Sequence, residues 1–181
     1  MRCEIKWYED MWKVIKDATM TTISKDKGSY PTSEWKRKLL ISEHSPIRIG
    51  HIILKLYDIP SYVMGHLVRH HQGIEKFVSS RREDRYDSET PITRESPIDM
   101  TIDCNFQSLI NISRKRLCNC ASKETRETWQ MVKDKVAEVE PELASSMVRE
   151  CVYRGFCSEM FGCGYDKTLA FEDELYEYNR K

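Results

Sequence analysis

Residues 47–81 read IRIGHIILKLYDIPSYVMGHLVRHHQGIEKFVSSR, and their pattern sets the order of everything around them. The first part, Ile47 to Ile59, is mostly β-branched or aromatic: Ile49, Ile52, Ile53, Leu54, Leu56, Tyr57 and Ile59. No helical stripe fits these positions, so they predict a strand. Pro60 suits the first turn of a helix, which runs through Tyr62, Val63, Leu67 and Val68 to about Arg69, and Gly73 breaks it. Upstream, Met11, Trp12, Val14, Ile15 and Ala18 fall at helical spacing between Tyr8 and Thr19. Lys25 to Pro31 reads as a loop, and Ser33 as the N-cap of a helix through Trp35, Leu39, Leu40 and Ile41.

Downstream, the stretch from Glu83 to Asp99 is charged, contains Pro91 and Pro97, and reads as an exposed loop. The second half reads as helical. Ile102, Phe106, Leu109, Ile110 and Ile112 lead into Arg114, Lys115 and Arg116. A further helix covers Lys123 to Glu138, and another starts at Pro141 and runs through Val148. The expectation is one α+β domain over residues 1–181, a small, mainly antiparallel sheet packed with several helices. Residues 166–181 form an acidic, tyrosine-bearing tail, a short helix or a frayed end.

Composition narrows the function classes. The 181 residues carry 29 basic and 29 acidic side chains, so the formal net charge is zero. That argues against a nonspecific binder of nucleic acid polymers, which needs a basic excess. No run of about 18 apolar residues exists, so no membrane span is expected, and the N-terminus lacks the apolar core of a signal peptide. Seven cysteines is an odd count in a chain large enough to do without disulfides. Reduced thiols in a cytoplasm are the expectation.

Three constellations could carry chemistry. The densest is Arg69-His70-His71, followed by Ser79 and Arg81, with Arg82 and Arg85 nearby. Guanidinium forks and a hydroxyl suit a phosphate. The same cations at a helix end also suit the helix dipole and need no ligand. Adjacent histidines on a helix point to different faces, which weakens a metal reading. The second group is Asn105, Gln107, Ser108, Asn111 and Arg116 on one helix. It either faces solvent or lines a pocket. The third is cysteine: Cys118 and Cys120, then Cys151, Cys157 and Cys163. The spacing is looser than a zinc knuckle, and buried inert thiols are the default, so no metal is expected. There is no dinucleotide-binding glycine turn, P-loop, nucleophile elbow or zinc-protease helix.

At Arg69-His70-His71 and Ser79-x-Arg81 the chain resembles the flavin-dependent thymidylate synthases, whose signature is R-H-R-x2-S-x-N-E-x-S-x-R-Y. Laid without gaps, Arg69, His70, Ser79 and Arg81 match. His44, in Glu43-His44-Ser45-Pro46, falls where that family keeps a His before its strand. Asn105-x2-Ser108-Leu109-x-Asn111, then Arg116-Leu117-Cys118, resembles the family's N-x-R-S-L-x-N segment and the following L-R-L. Ala121-x2-Glu124-x-Arg126 resembles its A-Q-W-E-I-R. Cys151 to Cys163 looks like a cysteine-rich tail of some members. The match runs in order over roughly residues 8 to 165. The departures are His71 for Arg, Ile74 for Ser, Lys76-Phe77 for Asn-Glu, Arg82 for Tyr, His66 for a Gln and Gln107 for an Arg. Glu75 could replace the missing carboxylate only if the loop shifted by two residues.

The resemblance implies that family's fold and reductive methylation of dUMP, or a related pyrimidine nucleotide, to dTMP. It implies FAD as cofactor, NADPH as reductant, methylenetetrahydrofolate as one-carbon donor and no cysteine nucleophile. It assigns Arg116 to charge stabilisation at the pyrimidine ring. His66, Arg69, Ser79 and Arg81 would hold the nucleotide. His44, Arg69, His70, His71, Asn105, Gln107 and Asn111 would line the flavin. It further implies a homotetramer with active sites shared between subunits, and a divergent member of the kind phage-like genomes carry, acting in the host cytoplasm. The departures leave two alternatives, a flavin- and folate-dependent hydroxymethylase and a nucleotide- or flavin-binding homologue without turnover.

Overall fold

The computed structural model describes residues 1–25, 28–82 and 91–180. The elements follow in order as β1 (Arg2–Trp7), α1 (Met11–Thr22), α2 (Ser33–Ile41), a 3-10 turn (Ser45–Ile49), β2 (His51–Pro60), α3 (Ser61–Leu67), β3 (Ile74–Val78), β4 (Pro97–Asn105) and α4 (Phe106–Arg116). Then come α5 (Lys123–Ala137), α6 (Pro141–Ser146), α7 (Glu150–Arg154), a short 3-10 turn (Tyr165–Lys167) and α8 (Leu169–Asn179). The fold is α+β, built on one four-stranded antiparallel sheet in the order β1-β2-β4-β3.

The strongest strand signal holds as β2, although the first residues of the expected strand, Ile47 to Ile49, belong to the 3-10 turn (Ser45–Ile49) instead. Ile52, Leu54 and Leu56 are fully buried and alternate with outward residues. Three strands went unread in the sequence. β4 alternates Ile98, Met100, Ile102 and Cys104 inward with Asp99, Thr101 and Asp103 outward. Ile98 and Asp99 fall in the expected charged loop and Ile102 in the expected helix, and the structure makes all three strand. Of that expected loop, residues 83–90 lie outside the described residues, as does Arg85, while Pro97 to Asp99 are strand. β1 buries Cys3 and β3 buries Ile74, each with charged neighbours that mask the period.

The core lies between the inward face of the sheet and the helices. Phe106, Leu109, Ile110 and Ile112 of α4 pack there with Trp129, Val132 and Val136 of α5. Two tryptophans are buried with their ring N–H groups satisfied. Trp129 Nε1 donates to Ser113 Oγ (2.8 Å), and Trp12 Nε1 donates to Glu140 Oε2 (2.7 Å), which also pairs with Lys36 at 3.0 Å. The helix caps are side-chain oxygens, Thr32 for α2 (one residue before the expected Ser33), Ser122 for α5 and Thr168 for α8. The acidic tail is therefore helical, and Phe171 anchors it to a small apolar cluster with Val148, Cys151 and Val152.

Candidate functional site

Asn105 is the hinge of the site. It ends β4 and caps α4, and its Oδ1 accepts from Ser108 N at 2.8 Å. The expected polar helix therefore begins one residue later, with Asn105 before it rather than on its face. Ser108 Oγ donates to the Gln72 carbonyl at 2.6 Å, with the Gly73 carbonyl at 2.9 Å. Asn105 N donates to the Gly73 carbonyl at 3.0 Å. The segment after Arg69-His70-His71 is thus stitched to the start of α4. Gly73 has φ +64°, and a Cβ there would lie 2.2 Å from Asn105 Nδ2. Only glycine fits this crossing.

Two adjoining clefts open on this junction. One, of about 650 Å³, is lined by Glu43, Arg48, Gln72, Gly73, Asn105, Gln107, Ser108 and Asn111. The other, of about 330 Å³, is lined by Arg69, His70, His71, Gln72, Ser108, Asn111 and Ile112. They share Gln72, Ser108 and Asn111, so together they form one polar trough. Gln107 Nε2 donates to Glu43 Oε2 (2.6 Å) and to Asn111 Oδ1 (3.2 Å), and Arg114 pairs with Glu43 and reaches Asn111 Oδ1 at 3.2 Å. Glu43, at φ +48°, thus organises the floor of the larger cleft. In the sequence Glu43 stands out only as the residue before His44. His44 itself is exposed and precedes the 3-10 turn, outside the residues that line either cleft.

At the far end of α4, Arg116 Nε donates to His70 Nε2 at 3.0 Å. That bond requires Nε2 to be an acceptor, so the ring is neutral with its proton on Nδ1. Burial first, then the charges of Arg116, Lys76 and His71, depress the His70 pKa to about 4. Burial and Arg69 also lower the Arg116 pKa. Lys76 Nζ donates to the Val68 carbonyl (3.2 Å) and to the His70 carbonyl. The lysine that departs from the family's Asn therefore fixes the loop that carries His70.

His66 lies in the last turn of α3, and His70 follows beyond the end of that helix. Its Nδ1 is 2.8 Å from Thr125 Oγ1, and its ring stands edge-on to Tyr62 at 6.0 Å. Its pKa is lowered by burial, then by Arg116, Arg69 and Arg94. Three guanidinium groups therefore lie near enough to His66 to disfavour its charged form. Arg94 was not a sequence candidate. Its place is set by Tyr62, whose backbone N–H donates to the Arg94 carbonyl (3.0 Å) and whose ring lies 5.2 Å from the guanidinium. No linear motif carries that information.

Ser79 and Arg81 do not join this group. Ser79 Oγ accepts from Asp99 N at 3.2 Å, at the opposite end of β3 from Gly73. Arg81 donates to the Ser96 carbonyl (3.2 Å) and to the Pro97 carbonyl, and reaches Ser61 Oγ at 3.4 Å. A five-residue strand spans roughly 15 Å, so one chain does not bring Ser79 and Arg81 beside Arg69. Glu75 sits on the outward face of β3, as Phe77 does, so it supplies no carboxylate to the trough. The cysteines play no part in it. Among the described residues no group of three or more His, Cys, Asp or Glu is arranged to hold a metal ion.

His70 gives a test of this geometry. Its native pKa lies below the ordinary value of 6.5, so the stability it contributes is complete above that value. The contribution is lost as pH falls toward 4, because the unfolded chain takes up the proton first. A ¹⁵N-resolved histidine titration is expected to show His70 as the Nδ1–H tautomer with a midpoint near 4. A midpoint at the ordinary value would mean that the Arg116 bond is not made.

No protein-family model and no curated protein matches the sequence. Solved structures do match. The flavin-dependent thymidylate synthase ThyX from Helicobacter pylori, complexed with FAD and dUMP, superposes with a TM-score of 0.64 at 16% identity. That match covers 82% of this chain and 100% of the other. The UMP/dUMP methylase PolB from Streptomyces cacaoi, bound with 5-Br dUMP, gives 0.58 at 13% identity over 86% of this chain and 96% of the other. Among the described residues no helix is long and apolar enough to cross a membrane. The backbone of this chain has the fold of the flavin-dependent thymidylate synthases.

Proposed function

We propose that the protein is a flavin-dependent enzyme that methylates a pyrimidine nucleotide monophosphate, dUMP in the first instance, to dTMP. The carrying observation is the Arg116–His70 bond at 3.0 Å beside a polar trough, on this fold. The residues present fit a flavin. The trough alternates amide and hydroxyl groups (Asn105, Gln107, Ser108, Asn111) along about 650 Å³ plus 330 Å³, room for a planar ring with its own carbonyls and N–H. When bound, the reduced flavin supplies the hydride that completes the methyl group.

The chain's own residues do the rest. Arg116 holds a fixed positive charge where the pyrimidine ring gains electron density as C5 attacks the one-carbon unit of methylenetetrahydrofolate. Neutral His70 aims that guanidinium without competing for it, since an imidazolium would repel it. Arg69 and Arg94 offer the phosphate two forks. Asn105, Gln107 and Asn111 orient the flavin, with His71 at the mouth of the smaller cleft. Ser79 and Arg81, remote within one chain, would serve the trough of a neighbouring subunit in a homotetramer. His44, implied beside the flavin, lies outside the residues that line either cleft. NADPH is the proposed reductant.

The test is the visible spectrum of purified protein after FAD is added and the excess removed, followed by tritium release from C5-labelled dUMP. Retained flavin and a methylated product are expected. A hydroxymethylated product would replace the methylase reading with the hydroxymethylase. Retained flavin without tritium release would leave a binding protein.

A further inference from the structure

Two amides of α4, Gln107 and Asn111, are each tied to a charged group, and the charges decide which atom each amide turns to the cleft. The first charge is Glu43, which stands just past the end of α2. Its N–H donates to the Leu40 carbonyl (3.1 Å), and that of His44 donates to the Leu39 carbonyl (3.3 Å). These are the two bonds of a helix end that passes through a left-handed residue, a place glycine normally takes. Glu43 takes it here, at φ +48°. A carboxylate at this position goes against backbone preference, so its use is to be sought in its side chain.

Glu43 Oε2 accepts from Gln107 Nε2 at 2.6 Å, and its other oxygen accepts from Arg114. The Arg114 guanidinium also lies 3.5 Å from the centre of the Tyr153 ring and donates to Asn111 Oδ1 at 3.2 Å. Direction follows from chemistry. A carboxylate only accepts, so Gln107 must turn its NH2 to Glu43. A guanidinium only donates, so Asn111 must turn its carbonyl to Arg114. The bond between the two amides, Gln107 Nε2 to Asn111 Oδ1 at 3.2 Å, agrees with both. Flipping either amide would set donor on donor or acceptor on acceptor inside a largely buried wall, where Arg114 is 12% and Glu43 22% exposed. Two atoms remain, Gln107 Oε1 and Asn111 Nδ2. Neither has a partner among the described residues, and neither is sealed from solvent. Both therefore open on the larger cleft, which these residues line.

We infer that Glu43 is a positioning residue which, with Arg114, makes α4 present an acceptor at Gln107 and a donor one turn on at Asn111, a pair that takes a ring edge bearing an N–H beside a carbonyl. On the flavin reading above, that edge is the pyrimidine side of the cofactor. Its ring N–H meets Gln107 Oε1, and a flanking carbonyl meets Asn111 Nδ2. A carboxylate or phosphate does not suit the same pair, because Gln107 would meet it acceptor to acceptor. The orientation of the amides belongs to the ligand-free chain and depends on no function. Only the choice of ligand rests on the flavin reading.

Two measurements keep these parts separate. In the full chain without ligand, side-chain amide NMR should show the Gln107 NH2 exchanging with solvent at least about tenfold slower than that of Asn111, because both its N–H groups are bonded. Glu43→Gln should erase the difference, since an amide at that position can donate to a flipped Gln107. With FAD added, Asn111→Asp should weaken binding at least about tenfold. That variant keeps an acceptor toward Arg114 and Gln107 and turns only the cleft-facing atom from donor to acceptor. The infrared carbonyl band of any flavin it still holds should rise, because that carbonyl loses its donor. Equal exchange of the two amides in the wild type, or a difference that survives Glu43→Gln, would overturn the positioning role and leave the flavin reading standing. Wild-type affinity for FAD in Asn111→Asp would overturn the presented pair. A wild type with Gln107 protected and no FAD retained would overturn the assigned ligand together with the flavin reading.

Discussion

Arg116→Ala is expected to lower turnover of dUMP by about 10²–10³-fold, with the fold unchanged. Arg116 is half-buried, ends α4 and donates to His70 at 3.0 Å. If its charge acts on electron density that builds only during reaction, the loss falls on kcat, while the dissociation constant for dUMP moves little. Arg116→Lys should rescue little, because an ammonium keeps the charge but loses the fork that reaches both His70 and a ligand. Single-turnover rates beside equilibrium dUMP binding make the check. An unchanged rate in the alanine variant would remove Arg116 from the chemistry. A loss confined to binding would make it a phosphate ligand instead.

Gly73→Ala is expected to destabilise the protein by about 3 kcal/mol, a large share of a typical domain's stability. Two effects add. The backbone at φ +64° strains any side chain, and the new Cβ would stand 2.2 Å from Asn105 Nδ2. Asn105 cannot swing aside freely, because its other side-chain atom holds Ser108 N at 2.8 Å as the cap of α4. The urea midpoint should fall accordingly, and flavin retention should fall with it, because Gly73, Asn105 and Ser108 all line the larger cleft. A midpoint within error of wild type would mean that the crossing of these segments is looser than described.

Much of this architecture was readable before any coordinates, and the exceptions have physical causes. β2 and the helices α1, α2, α4 and α5 announced themselves through apolar periodicity. β4 did not, because Pro97, Asp99 and Asp103 made a charged stretch of what is a clean two-residue alternation. Weighing the period of Ile98, Met100, Ile102 and Cys104 above the charge would have recovered it. β1 and β3 are edge strands with one polar face and leave only two or three apolar residues each. In the site, Arg69, His70, His71, Gln107, Asn111 and Arg116 were nameable from order and spacing. Arg94 and Glu43 were not, since their positions follow from contacts with Tyr62, Gln107 and Arg114 that only the folded chain creates. Ser79 and Arg81 were adjacent in the motif yet lie a strand's length away, because motif spacing counts residues and β3 is fully extended.

Asn105 belongs to both β4 and the cap of α4, so sheet and helix meet without a loop to absorb error. The eleven residues of α4 make a rigid boom about 16 Å long, pivoting at Asn105 and ending at Arg116. A tilt of about 5° at the pivot swings the guanidinium by more than about 1 Å, a misplacement that can cost about 100-fold in rate. In the proposed reaction, the aim of the Arg116 guanidinium is therefore inherited from how firmly Met100, Ile102 and Cys104 seat their strand, and enlarging or shrinking those buried side chains is expected to lower the proposed activity from the far side of the core.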